Sequence, residues 1–255
     1  MPSLLWMLSF FTLGLNLFIV LEIIFEDSHY IAIDKPPGFH VHPPENSQWK
    51  VPRDKVCLYL VRNHLNAYVY PIHRLDAATG GVLLFAKQPE AAGKMQALIQ
   101  SQAITKKYLT VLRGWCPEKG ELDKPLLSDS SDLQLPSLTV FQKRAQIELP
   151  QAVGKKHASA RYSLVHVEPK TGRYHQIRRH FASESHPVIG DIKHGDSHHN
   201  RFFRNELELP GLLLHSFELS FQHPYSQDLV EIKTQWSDRW KRVFQLFNYS
   251  EPATS

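Results

Sequence analysis

Cysteine is the scarcest functional residue in the chain: Cys57 and Cys116 are the only two in 255 residues, they stand far apart, and neither belongs to a C-x-x-C pair. This excludes a disulfide framework, argues against a structural zinc site, and fits a reducing compartment such as the cytoplasm. No internal repeat and no linker divides the chain. Net charge is also modest, with 29 Lys and Arg against 25 Asp and Glu for a formal +4, and 15 histidines add positive charge only as pH falls below neutrality. Such an excess permits a polyanionic partner without demanding one. What the chain does have is 42% hydrophobic residues against 21% charged, enough to bury a sizeable core unaided.

The first residues lack what their hydropathy would need to carry a function. Leu4 to Leu21 contains no charge and includes Trp6, Phe10, Phe11 and Phe18. No Lys or Arg flanks it to anchor a membrane span, and Ser9, Thr12, Gly14 and Asn16 dilute it. A signal peptide would want a basic start and a small-residue cleavage site, and both are missing. The preferred reading is that residues 1–19 are not native and that translation begins at Val20. Residues 1–20 are accordingly set apart as an extension, 21–248 as one folded domain and 249–255 as a tail, with no membrane association expected.

From Leu21 the pattern changes. Leu21–Phe25 and Tyr30–Asp34 read as a β-hairpin, closed off by Lys35-Pro36-Pro37-Gly38. Residues 52–64 have helical spacing, 81–86 form a continuous apolar strand, and 89–100 read as a helix burying Met95, Leu98 and Ile99. Further strands are expected over 105–113, 161–168, 212–221 and 229–234, and a helix over 174–183. Ser128–Ser137 is polar and reads as a surface excursion. This non-alternating order predicts an α+β fold around a largely antiparallel mixed sheet.

Two segments are denser in functional groups than turns require. His73-Arg74-Leu75-Asp76-Ala77-Ala78-Thr79-Gly80-Gly81 precedes the Val82–Ala86 strand, which sets its polar groups on a loop at a sheet edge. Gly172-Arg173-Tyr174-His175-Gln176-Ile177-Arg178-Arg179-His180 opens a helix. Taken alone, the first is an ordinary turn in which Asp76 and Thr79 bond local amides, and the second is a solvated basic helix face.

Taken together and in order, they resemble the RluA family of pseudouridine synthases from Leu21 to about Trp240. His73-Arg74-Leu75-Asp76 with Thr79 and Gly81 is similar to the family's catalytic-Asp motif, Lys107-Tyr108 to its tyrosine motif, Gly172-Arg173 with His175 to Arg178 to its arginine motif, and Lys35 to Gly38 to its opening turn. The resemblance implies a catalytic domain with helices and loops around a central RNA-binding cleft, and a reaction that breaks N1–C1′ of uridine, turns the base and joins C5 to C1′. No cofactor and no metal is implied. Asp76 is the implied catalytic carboxylate. Desolvation drives a pocket carboxyl toward its neutral form and a facing guanidinium restores its charge, the part implied for Arg178. Tyr108 is implied as the stacking surface for uracil, with its phenol near C5. A paired base cannot be reached, so the nucleotide must flip out, and Arg74 resembles the arginine that enters the gap. His73, Lys107, Arg173, His175, Gln176 and Arg179 complete the expected RNA-binding set. Lys106, Arg144, Lys155 and Lys156 are further candidates for phosphate contacts.

Arg178-Arg179-His180, Gly190-Asp191, Lys193-His194-Gly195-Asp196 and Asn200-Arg201 are similar to a tRNA-modifying branch that lacks a separate RNA-binding domain. This implies tRNA as partner, at uridine 65 of the T stem, with no DNA and no obligate protein partner. A ribosomal RNA target is the alternative, because Ser128–Lys156 and the stretch after Asn205 depart from that branch. Two other classes compete. A metal-dependent hydrolase would draw on His194, Asp196, His198, His199 and His215, which read as a polar loop without H-x-x-x-H spacing. A non-catalytic RNA-binding module would have no need for Asp76, Tyr108 and Arg178 together.

Overall fold

The computed structural model describes residues 21–44, 51–154 and 157–250. The expected start at Val20, and Lys155 and Lys156, lie outside these residues. The chain opens with β1 (Glu22–Glu26) and β2 (Tyr30–Lys35), then a short 3-10 turn (Arg53–Lys55), α1 (Cys57–Leu65), β3 (Tyr70–Pro71), β4 (Gly80–Ala86), α2 (Pro89–Gln100) and β5 (Ile104–Arg113). There follow β6 (Lys119–Asp123), β7 (Leu126–Leu127), β8 (Gln134–Leu135), β9 (Leu138–Leu149), β10 (Ala160–Pro169), α3 (Gln176–Ser183), α4 (Ser197–Asn205), β11 (Leu214–Gln222), β12 (Leu229–Lys233) and α5 (Asp238–Leu246).

Ten strands form one sheet in the order β1-β2-β4-β11-β5-β10-β9-β6, with β3 beside β4 and β12 beside β11. All pairings are antiparallel except β4 with β11, where His215 and Ser216 face Gly80 and Gly81. The α+β expectation therefore holds, and β4 is interior. Every residue of β4 is buried, which is why its sequence is an unbroken Gly-Gly-Val-Leu-Leu-Phe-Ala run without alternation. Leu83 and Phe85 pack with Ile31, Ile33, Val61 and Tyr108 on one face. Val82 and Leu84 pack with Ala91 and Met95 of α2 on the other. A third cluster joins β5 and β10 to α4 and α5 through Leu109, Tyr162, Phe203 and Trp240. Tyr249 packs against that cluster.

Some elements differ from the sequence reading. The helical spacing over 52–64 is broken at Val56, which bridges His40, and the α-helix starts at Cys57. The longest strand, β9, was not legible, because Gln142, Lys143 and Arg144 hide its alternation. The supposed polar loop at 197–205 is α4, whose first amides at His198 and His199 donate to the Asp196 carboxylate, an N-cap. Among the described residues no helix is long and apolar enough to cross a membrane.

Candidate active site

Asp76 lies in the loop that leads from β3 into β4, at the end of an interior strand and not at the sheet's edge. The loop is fixed from several sides. His73 Nε2 accepts the Leu84 amide N–H at 3.3 Å, and the Thr79 N–H closes a turn onto the Asp76 carbonyl at 3.0 Å. The Ala77 carbonyl accepts the Gly38 N–H at 2.7 Å and the Lys35 ammonium at 3.0 Å. Lys35 is fully buried, also bonds the carbonyls of Pro36 and Phe39, and is pushed down to about 8 by burial. The Lys-Pro-Pro-Gly turn thus buttresses the Asp76 loop. Gly81 follows at φ +117, and a Cβ there would lie 2.0 Å from the Ser216 carbonyl oxygen, so no other residue lets β4 begin against β11.

The opposing wall comes from the turn after β10. His175, at φ 51, directly precedes α3 and swings the chain so that Arg178 points back to the loop. Arg178 donates from Nη1 to Asp76 Oδ2 at 2.8 Å, and from Nε and Nη2 to the two oxygens of Asp191 at 2.7 and 2.8 Å. Asp191 Oδ1 also accepts the amides of Lys193 and His194 at 2.9 and 3.0 Å. Burial alone would raise the Asp191 carboxyl, but Arg178 and these amides outweigh it and hold it below its ordinary value. Burial likewise opposes the Arg178 charge, and the two carboxylates outweigh it. The side chains of Asp191 and Arg178 keep 0% and 7% of their surface, and that of Asp76 keeps 25%, so only Asp76 is open to a substrate. The group is a buried, bidentate ion pair presenting one reachable carboxylate.

His175 Nε2 lies 3.7 Å from Asp76, and its Nδ1 meets His194 Nε2 at 3.0 Å. Burial pushes this imidazole down to about 4, Arg178 adding to the effect against Asp76, so the contact with Asp76 at neutral pH is not an ion pair. Tyr108 lines the cleft from β5. Burial pushes its phenol up to about 12 against the pull of Ser216, so it is protonated at neutral pH. The cleft these groups line has a volume of about 110 Å³.

His73, Arg74, Asp76, Tyr108, Arg173, His175, Gln176 and Arg178 all line it. Within that group, His73 is pushed down to about 3 by burial and then by Lys106, and it holds the loop to β4. Gln176 has its amide spent on Thr171, Arg173, Leu138 and Thr139, which makes it a brace for the turn. Two expected residues are elsewhere. Arg179 turns to the carbonyls of Leu127 and Tyr174. Lys107 projects from the other face of β5 and pairs with Glu218 at 2.6 Å, because side chains alternate along a strand and Tyr108 faces the cleft. That other face carries a larger hollow of about 630 Å³, lined by Lys107, His166, Phe217 and Trp236 but by none of the groups around Asp76. Lys106, expected as a phosphate contact outside the pocket, lines the cleft itself, and Asp191, to which the sequence assigns no role in the site, holds Arg178 from behind. Alternation from Tyr108 would have selected Lys106 over Lys107. Asp191 carries no local signal, since its partner is 13 residues away.

The proposed hydrolase cluster does not assemble. Asp196 caps α4 and pairs with Arg113 at 2.6 Å, His199 meets Tyr162 at 2.9 Å, and His215 meets Thr234 at 2.9 Å. Among the described residues no three His, Cys, Asp or Glu are grouped to hold a metal.

Residues 29–183 match the RNA pseudouridylate synthase family model. The chain is 36% identical over 241 residues to tRNA pseudouridine synthase C of Vibrio vulnificus, covering 90% of this chain and 96% of that protein. It is 37% identical over 239 residues to the Haemophilus ducreyi protein of the same name, with 90% and 96% covered. Among solved structures, human RNA pseudouridylate synthase domain containing 4 superposes with a TM-score of 0.67 at 20% identity, covering 91% of this chain and 94% of that one. The human domain-containing-1 protein gives 0.66 at 23%, with 85% and 84% covered. At these identities the two structures speak for the fold.

Proposed function

The chain belongs to the RNA pseudouridylate synthase family, as an RluA-type member, and on that premise we propose that it isomerises uridine 65 in the T stem of tRNA to pseudouridine, with Asp76 as the catalytic carboxylate. The observation that carries this reading is the reachable Asp76 carboxylate held by a guanidinium whose other edge is locked on buried Asp191. A binding module gains nothing from such an arrangement. A reaction that must bring a charged carboxylate to a sugar carbon in a closed cleft requires it.

In this reading the flipped uridine enters between the Asp76 loop and the 171–178 turn. Asp76 either attacks C1′ or removes a neighbouring sugar proton, and both routes free uracil to turn over the Tyr108 ring. Arg178 holds the Asp76 carboxylate in place by its Nη1 hydrogen bond while water is excluded. C5 then joins C1′ as the Asp76–C1′ bond breaks, or as the abstracted sugar proton is returned, and the proton lost from C5 is balanced by one gained at N1. Tyr108, protonated at rest, serves first as a stacking surface, and it assists the last step only by passing its own proton on. Exposed Arg74 at the cleft mouth is the residue for the gap left in the stem. A tRNA substrate puts the enzyme at work in the cytoplasm.

Tyr108→Phe is expected to fold and bind RNA normally, since the ring keeps its place in the core, and to lose turnover by roughly a hundredfold, the usual scale for a positioned proton-transfer group. Full activity in the Phe variant would leave Tyr108 a packing and stacking residue only. The substrate is tested by giving purified enzyme a mixture of tRNA transcripts and ribosomal RNA fragments and mapping pseudouridine by reverse-transcription stops after carbodiimide treatment. A stop at tRNA position 65, without added metal beyond what folds the RNA, is expected. Stops confined to ribosomal RNA would replace the tRNA assignment, and none anywhere would remove the enzymatic reading.

A further inference from the structure

One cation in the cleft is not used by the chemistry above. Lys106 shares the Tyr108 face of β5 and lines the cleft with His73, Arg74 and Gly172. Its ammonium sits 4.0 Å from where a Cβ on Gly172 would be. Neighbouring cations are engaged: Arg178 by two carboxylates, Arg173 by the Pro136 carbonyl and Lys35 by three carbonyls. Among the described residues the Lys106 ammonium has no hydrogen-bond or ion-pair partner, and burial is what acts on its charge, lowering it from the ordinary lysine value.

A half-buried ammonium without an anion costs free energy that a surface lysine does not. The fold tolerates it here in the same cleft as the carboxylate that a substrate can reach. Uracil and ribose are uncharged, so the anions an RNA brings into the cleft are its backbone phosphates. We propose that Lys106 is the phosphate anchor of the cleft, binding the RNA phosphate next to the flipped uridine and so holding that nucleotide in register with Asp76. This rests on the RNA-modifying reading and adds to it a residue that positions the substrate backbone. Lys107 is the internal control: it is adjacent in sequence, carries the same charge, and is turned to the opposite face against Glu218.

The test measures binding of an unmodified tRNA transcript by wild type, Lys106→Gln and Lys107→Gln across a salt series. Lys106→Gln should bind roughly tenfold more weakly at low salt, with the slope of log Kd against log salt reduced by about one. Lys107→Gln should match wild type in both. The melting temperature of Lys106→Gln, taken in parallel, should not fall, because an unpaired desolvated charge is removed. An unchanged salt slope in Lys106→Gln, or equal changes in the two variants, overturns the proposal. A wild type that neither binds nor modifies RNA would instead overturn the reading beneath it.

Discussion

Asparagine in place of Asp76 is expected to lower the single-turnover rate on the order of a thousandfold or more, while the fold and RNA affinity remain. The substitution keeps side-chain size and an oxygen able to accept from Arg178, and removes only the charge that the reaction needs. Arg178 is not orphaned by the change, because two of its three bonds go to Asp191, whose carboxylate still compensates its charge. The Asp76 side chain is also partly open to solvent, so the amide is not forced into a dry site. Rates are read from pseudouridine formed under excess enzyme, with RNA binding and thermal melting measured on the same preparation. A rate within about tenfold of wild type would show that the reactive group is not this carboxylate.

The elements around the site were legible where local pattern and tertiary environment agree. The unbroken apolar run of β4 announces a strand buried on both faces, and α2 keeps its bounds because Pro89 starts it and one apolar face packs on β4. Asp76 and Arg178 were named through ordered motifs, although they lie 102 residues apart and nothing local joins them. What stayed hidden depends on partners distant in sequence. β9 sits between β10 and β6, and Gln142, Lys143 and Arg144 interrupt its pattern because they face solvent or an ion pair. Lys106 and Lys107 are equivalent in sequence as phosphate contacts, and only the two-residue period of β5 counted from Tyr108 separates them, turning Lys106 to the cleft and Lys107 to Glu218. Gln176 looks like a recognition residue in sequence, and only the carbonyl of Leu138 and the hydroxyl of Thr139 reveal it as a brace.

The largest effect on stability is expected not at Asp76 but behind it. Asp191→Ala removes both bonds that fix the Arg178 fork and the acceptor for two backbone amides, and leaves the guanidinium buried against Asp76 alone. Breaking a buried ion pair from one side costs about 3–5 kcal/mol, which in a domain of this size lowers the melting temperature by roughly 10 °C. The surrounding turn offers no relief. Asn200 clamps it, accepting the Gly190 N–H at 2.6 Å and donating to the Asp191 carbonyl at 2.8 Å, and a Cβ on Gly190 would lie 1.9 Å from the Gly211 carbonyl oxygen. Turnover measured well below the melting point should also fall strongly, since a loosened Arg178 no longer holds Asp76 in place. Asp191→Glu separates the two roles. It keeps the negative charge and so recovers much of the stability, but the extra methylene cannot present its oxygens to the fork and both amides at once, so turnover stays low. The decisive contrast is the asymmetry between the two carboxylates on one arginine: Asp76→Asn inactive yet stable, Asp191→Ala inactive and unstable. If calorimetry found the reverse order, or Asp191→Glu regained both stability and rate, Arg178 would not be anchored from behind and its hold on Asp76 would need another source.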